Sequence, residues 1–157
     1  MDTSANLLRV FKGLDGSGEL AQAFSLDVLT SIHFATGGDD DTVVIFGLPA
    51  GIALSFNGGD GNDTLIVRQR ACAIGAGAAA SVENFVADDG AAVDLDVANA
   101  FSSLSIAGNA TVRLTGAART FGCASISIDG TLDLGSHELI ISPPAAGFAS
   151  QLEQLNN

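Results

Sequence analysis

Tryptophan and tyrosine are absent from this chain of 157 residues, and it carries only two cysteines, three prolines and six Lys or Arg residues. Without Trp and Tyr, the amphipathic rings that commonly stack on sugars are missing, which counts against a carbohydrate-processing cleft. Lys12 is the only lysine, so no glycine-rich phosphate loop with its lysine can be drawn. Eighteen acids against six bases give a formal charge of -12, which opposes binding to nucleic acid and to anionic membranes. Long apolar runs are missing too. The stretch Ala71–Val82 falls short of the ~20 residues of a membrane span and is interrupted by Gly75 and Gly77. Two cysteines, Cys72 and Cys123, do not make a disulfide framework. Met1–Ser4 shows no basic segment leading into an apolar one. The expectation is therefore that export is absent, uses another signal, or that the chain is part of a longer protein.

What the chain does contain is a Gly-Asp turn, Gly58-Gly59-Asp60-Gly61-Asn62-Asp63-Thr64-Leu65-Ile66. The glycines permit positive φ and let carbonyls turn toward one point. Asp63 offers a hard carboxylate oxygen, the donor calcium prefers. A degenerate copy lies upstream in Thr36-Gly37-Gly38-Asp39-Asp40-Asp41-Thr42-Val43-Val44, with Gly37 and Gly38 one position late. Aligning Asp41 on Asp63 gives a repeat of 22 residues (41 to 63), about one coil of a parallel β-helix. The two turns should then stack, with carboxylates separated by little more than the ~4.8 Å between neighbouring strands.

Like charges at that distance resist joint ionisation. No Lys or Arg occurs between Gly13 and Val67, a stretch holding Asp15, Glu19, Asp27, Asp39, Asp40, Asp41, Asp60 and Asp63. A divalent cation would relieve the repulsion. The expected ligands are the carboxylates of Asp41 and Asp63, with Asp39 and Asp60 as further contributors and carbonyls near Gly38, Gly59 and Gly61 completing the shell. The plainer alternative is an acidic rim of hydrated loops screened by salt.

Short β-forming runs recur between Gly, Asn and Asp turns: Thr42–Phe46, Ile52–Phe56, Thr64–Val67, Val93–Val97, Leu104–Ile106, Thr111–Leu114, Ser125–Ile128, Thr131–Leu134 and Leu139–Ile141. The second half repeats as well. Leu104-Ser105-Ile106 matches Ile126-Ser127-Ile128, and Thr111-Val112-Arg113-Leu114 matches Thr131-Leu132-Asp133-Leu134, at offsets of 22 and 20. One coil cannot bury its inner face alone, so coils must stack. Alternation turns Val93, Leu95, Val112, Leu114, Leu132 and Leu134 inward and sets Asp94, Arg113 and Asp133 in an outward acid–base–acid ladder. The 51-residue spacing of Cys72 and Cys123 is not a whole number of coils, so both are read as small buried hydrophobes.

The fold predicted is all-β: a right-handed parallel β-helix with coils of about 20–22 residues. Residues 1–26 are read as an N-terminal cap or partial coil and 27–142 as the repeats. In 143–157, Phe148, Leu152 and Leu155 at helical spacing predict a short helix capping the open end.

The nonapeptide resembles the calcium-binding β-roll repeat of RTX proteins, G-G-x-G-x-D-x-U-x. The span from Gly37 to Leu65, with Gly130–Ile141, is similar to autotransporter-like β-helix repeats in large surface or secreted bacterial proteins, including those of planctomycetes. The resemblance implies a structural, calcium-linked, extracellular or cell-surface module with a surface partner or glycan. Only one nonapeptide is complete, whereas RTX β-rolls have tandem copies, so one or two sites is what carries over.

Catalysis is not expected. Asp94 and Asp96 lie ~6.6 Å apart on one strand face, within the ~5–10 Å that paired carboxylates of glycoside hydrolases need, but any Asp-x-Asp strand provides this. His33 and His137 are isolated and read as turn or rim residues. A β-helical carbohydrate-active enzyme, or a fragment of one, is the alternative. An ice-binding solenoid would need a double row of threonines, which Thr42, Thr64, Thr111 and Thr131 do not make.

Overall fold

The computed structural model describes residues 7–12, 19–25, 27–46, 48 and 51–142. Strand β1 (Leu7–Lys12) pairs antiparallel with β2 (Glu19–Ser25), the register slipping between Val10 and Phe11. All later pairing is parallel. The first coil holds β3 (Ser31–Gly38) and β4 (Thr42–Ile45). The second holds β5 (Ala53–Asp60), β6 (Thr64–Arg68) and β7 (Ala71–Ile74). The third holds β8 (Ala79–Ala80), β9 (Asn84–Asp88) and β10 (Ala92–Asp96), and the fourth β11 (Ser103–Ile106) and β12 (Thr111–Thr115). Last come β13 (Thr120–Cys123), β14 (Ser125–Ile128), β15 (Thr131–Asp133) and β16 (Glu138–Ile141).

Stacked coils make long parallel sheets. One orders as β14-β11-β9-β6-β4, a second as β15-β12-β10-β7, and the remaining face is built from β3-β5-β8 and, farther along, β13-β16. The chain is a right-handed parallel β-helix of about five turns, with no helix among the described residues. The expected capping helix falls outside the described residues. Along the longest sheet Thr42 pairs with Thr64, Thr64 with Asn84, Asn84 with Ser103 and Ser103 with Ser125, steps of 22, 20, 19 and 22 residues. The unequal steps fall in turns, where an extra residue reaches the surface without shifting the inward positions.

Alternation decides the core. Phe56, Leu65, Phe85, Leu95, Leu104, Ile106 and Val112 are fully buried, and the Phe85 and Phe101 rings meet at 5.2 Å between centroids. Burying one such side chain contributes about 1.5–3 kcal/mol. The predicted pairs Val43–Leu65 and Val112–Leu132 are in register. Leu132, read as a core residue, is only half-buried, as is Leu134. The reason is position: β15 is the last strand of its sheet, so no further described coil covers it. Cys72 and Cys123 are buried and free, as the spacing implied.

Five of the parallel strands have no counterpart in the sequence reading. Strand β3 ends in two glycines, β13 contains one, β7 and β8 are rich in alanine, and β9 runs between polar residues. Ala, Gly, Asn or Asp in each run dilutes its β-forming residues. These segments are strands because a neighbouring coil supplies a hydrogen-bonding partner, on both sides for β9 and on one side for the other four.

In the fourth coil, Val97–Ser102 carries no strand. Asn99, buried there, replaces the missing ladder. Its Oδ1 accepts the Ala79 N–H at 3.0 Å, and its Nδ2 donates to the carbonyls of Gly75 at 3.0 Å and Asp96 at 2.9 Å.

Candidate metal centre

Both aspartate turns sit at the corner between the β3-β5-β8 face and the longest sheet, and they stack. Gly37 pairs with Gly59 and Gly38 with Asp60, so the upstream glycines are offset by one residue from the complete motif. Close stacking explains the glycines. A Cβ on Gly58 would run into the Ser81 carbonyl and the Asp63 carboxylate, and one on Gly59 into the Gly37 carbonyl, at a φ of 98° that side chains avoid. Gly61 lies against the Asp39 carbonyl in the same way. Carbonyl oxygens of one coil therefore project into the turn of the next.

Asp41 and Asp63 are brought together. The Asp41 N–H donates to Asp63 Oδ1 at 3.0 Å, and the Thr64 N–H donates to the Asp41 carbonyl at 2.9 Å. Asp63 is completely buried, 0% exposed. Its Oδ2 and that of Asp41 are both buried without any hydrogen-bond partner. An anionic oxygen taken from water without a donor is costly unless something cationic or polar offsets it. Asp39 and Asp60 stand on the exposed rim of the same turns, and Gly38 is in register with Asp60. Asp40 takes a separate role: its Oδ1 accepts the Asn62 N–H at 2.8 Å. Among the described residues, no group of three or more His, Cys, Asp or Glu side chains converges as a metal cage. The local donor set is thus two buried carboxylate oxygens with nearby carbonyls.

Sequence reasoning missed Glu83. Its Oε2 accepts the Asp63 N–H at 2.8 Å, repeating one coil later what Asp63 does for Asp41. The column is Asp41, Asp63, Glu83, each lower carboxylate capping the N–H above. The signal was there: Glu83-Asn84-Phe85 follows Asp63-Thr64-Leu65 by 20 residues (63 to 83). It was hidden because Ala78, Ala79 and Ser81 stand where the complete motif has Gly58, Gly59 and Gly61. Asn84 extends the column, donating to Asn62 Oδ1 at 3.0 Å and accepting from the Ser103 hydroxyl at 2.6 Å.

No protein-family model, no curated protein and no solved structure matches the chain.

Elsewhere the outward ladder forms as expected. Arg113 grips Asp94 in a bidentate pair, Nε to Oδ1 at 2.9 Å and Nη2 to Oδ2 at 2.8 Å. That hydrogen bond, then the Asp94 charge, raises the Arg113 pKa, with Asp133 adding to it. Asp96 accepts the Ala98 N–H at 2.8 Å, so both members of the Asp94–Asp96 pair are engaged. His33 lies 3.1 Å from the Ser55 hydroxyl. His137 is in a turn but buried there: its Nδ1 donates to the Leu134 carbonyl at 2.9 Å, and its Nε2 is buried without a partner. No helix among the described residues is long and apolar enough to cross a membrane.

Proposed function

We propose that this chain is a noncatalytic structural module of the extracellular or cell-surface kind, a rigid β-solenoid whose stacked aspartate turns take up Ca²⁺. The observation that carries the calcium reading is the pair of buried, unpartnered oxygens, Asp41 Oδ2 and Asp63 Oδ2, on adjacent coils. These carboxylates would hold the ion, with Asp39 and Asp60 at the rim and carbonyls at Gly38, Gly59 and Gly61. Calcium accepts 6–8 oxygens in irregular geometry, so a shell of two carboxylates, carbonyls and water suits it. The ion would supply positive charge between two like-charged turns and fasten the first coil to the second. With two buried carboxylates, affinity belongs in the ~10⁻⁴–10⁻³ M range of extracellular calcium modules. The noncatalytic part rests on the engagement of Asp94 and Asp96, whose oxygens are held by Arg113 and by a backbone N–H.

Thermal unfolding tests this. A ligand bound only by the folded state adds about 1.4 kcal/mol at ten times its Kd, which raises Tm by ~3–6 °C in a domain of this size. Calcium should give that shift and magnesium a smaller one, because the turns do not impose a tight octahedral shell. Equal shifts with both ions would point to general screening of an acidic rim.

A further inference from the structure

We infer that Glu83, in the third coil, positions the Asp63 carboxylate for the cation without binding the cation itself. The inference rests on the calcium reading above and carries it one coil further. Asp63 is held from both neighbouring coils. Its Oδ1 accepts the Asp41 N–H of the first coil at 3.0 Å. Its own N–H donates to Glu83 Oε2 at 2.8 Å. Its carbonyl accepts the N–H groups of Glu83 at 3.1 Å and Asn84 at 2.9 Å. The hold on the N–H depends on one side chain, and Glu83 supplies it.

A carboxylate at this place could act as a third ligand, as added negative charge, or as a brace. The geometry favours the brace. Among the described residues no three His, Cys, Asp or Glu side chains converge, so Glu83 does not join Asp41 and Asp63 in a cage. Its Oε2 is engaged by the Asp63 N–H. Asp63 itself is completely buried, and its Oδ2, without a hydrogen-bond partner, lies against Gly58. The direction of that oxygen follows from how the Asp63 backbone is held. A buried N–H stripped of its acceptor is costly. Losing Glu83 therefore lets the Asp63 backbone turn toward another acceptor and moves Oδ2 from its place. Residues that brace a metal ligand typically change metal affinity by about 10–100-fold.

The backbone of the third coil supports the same assignment independently. Ser81 stands where the complete motif has Gly61, and both hold positive φ, 51° at Ser81 and 136° at Gly61. A residue with a side chain adopts that conformation at a cost, and such residues concentrate at functional sites. The Ser81 carbonyl packs on Gly58, beside the Asp63 carboxylate. The third coil thus keeps a positive-φ turn without the glycine, and the turn delivers Glu83 to the Asp63 N–H two residues later.

The test combines calcium titration of the full chain with amide hydrogen exchange of the metal-free protein. Glu83→Gln keeps an acceptor oxygen and removes the charge. Glu83→Ala removes both, and Glu83→Met removes both while filling the space, which keeps the test available where the alanine variant does not fold. Glu83→Gln should bind calcium within about threefold of the parent, and Glu83→Met and Glu83→Ala should bind about tenfold or more weakly. In the metal-free state the Asp63 N–H should exchange about tenfold or more faster in Glu83→Met than in the parent, with Glu83→Gln restoring protection. A Glu83→Gln isotherm as weak as that of Glu83→Met overturns the proposal, because Glu83 would then act through its charge or as a ligand. Parent-like affinity or parent-like Asp63 exchange in Glu83→Met overturns it as well, and leaves the calcium reading standing. A parent chain that takes up no calcium overturns the calcium reading and this inference with it.

Discussion

Asp63 illustrates how one side chain can serve two ends. Its Oδ1 caps the Asp41 N–H, and its Oδ2 is left buried and free. Asp63→Asn keeps an oxygen acceptor for Asp41 while removing the charge, so the metal-free fold should hold its stability. Asp63→Ala leaves the buried Asp41 N–H without its acceptor and should cost about 1–3 kcal/mol in a denaturant titration. Cys72 has the opposite character. Burial pushes its thiol up to about 11, and Cys123 is raised for the same reason. The thiolate is therefore scarce in the folded state and unreactive. The linkage has a definite sign. An unfolded cysteine ionises near 8.5, so above that pH the unfolded chain binds fewer protons than the native one, and stability falls as pH rises toward about 11. Melting curves between neutral pH and pH 10 should show that fall, and Cys72→Ala should reduce it. A fall of unchanged size in Cys72→Ala would assign the alkaline loss to other groups.

At the scale of elements, a strand's stability depends on its place in the stack. Leu95 on β10 is fully buried between β7 and β12, whereas Leu132 on β15 is half-buried at the end of its sheet. Leu95→Ala should cost ~2–5 kcal/mol, with Leu132→Ala well below it. Asp133→Ala, on the outward face beside Leu132, should change little. Equal losses at Leu95 and Leu132 would mean that further chain covers the terminal strand as fully as the interior ones. This contrast also separates what was legible in the sequence from what was not. The inward alternation of Val112 and Leu114, the pairing of Val43 with Leu65 and the Asp94–Arg113 ladder follow from period and repeat length, both of which are local. The strands at Ala71–Ile74, Ala79–Ala80 and Thr120–Cys123 do not, because Ala and Gly carry no β preference of their own and are strands by virtue of neighbouring coils. Glu83 escaped notice for a related reason: its role is set by stacking under Asp63, without a motif of its own.

For the whole molecule, the repeat unit explains the arrangement of charge. A solenoid brings residues ~20 apart to within a strand spacing, so an acidic segment of sequence becomes an acidic column in space. The chain answers this in three ways: with Arg113 and Arg68 opposite Asp94 and Asp88, with carboxylates that cap backbone N–H groups, and, in the proposed reading, with calcium at Asp41 and Asp63. The most direct test is isothermal titration of metal-free protein with calcium, in the parent chain, Asp63→Asn and Asp133→Asn. The account predicts about one site at ~10⁻⁴–10⁻³ M in the parent, loss of most of that heat in Asp63→Asn, and a parent-like isotherm for Asp133→Asn. Absence of calcium heat at millimolar concentration, or an Asp63→Asn isotherm matching the parent, would contradict it and leave the aspartate turns as a hydrated acidic rim.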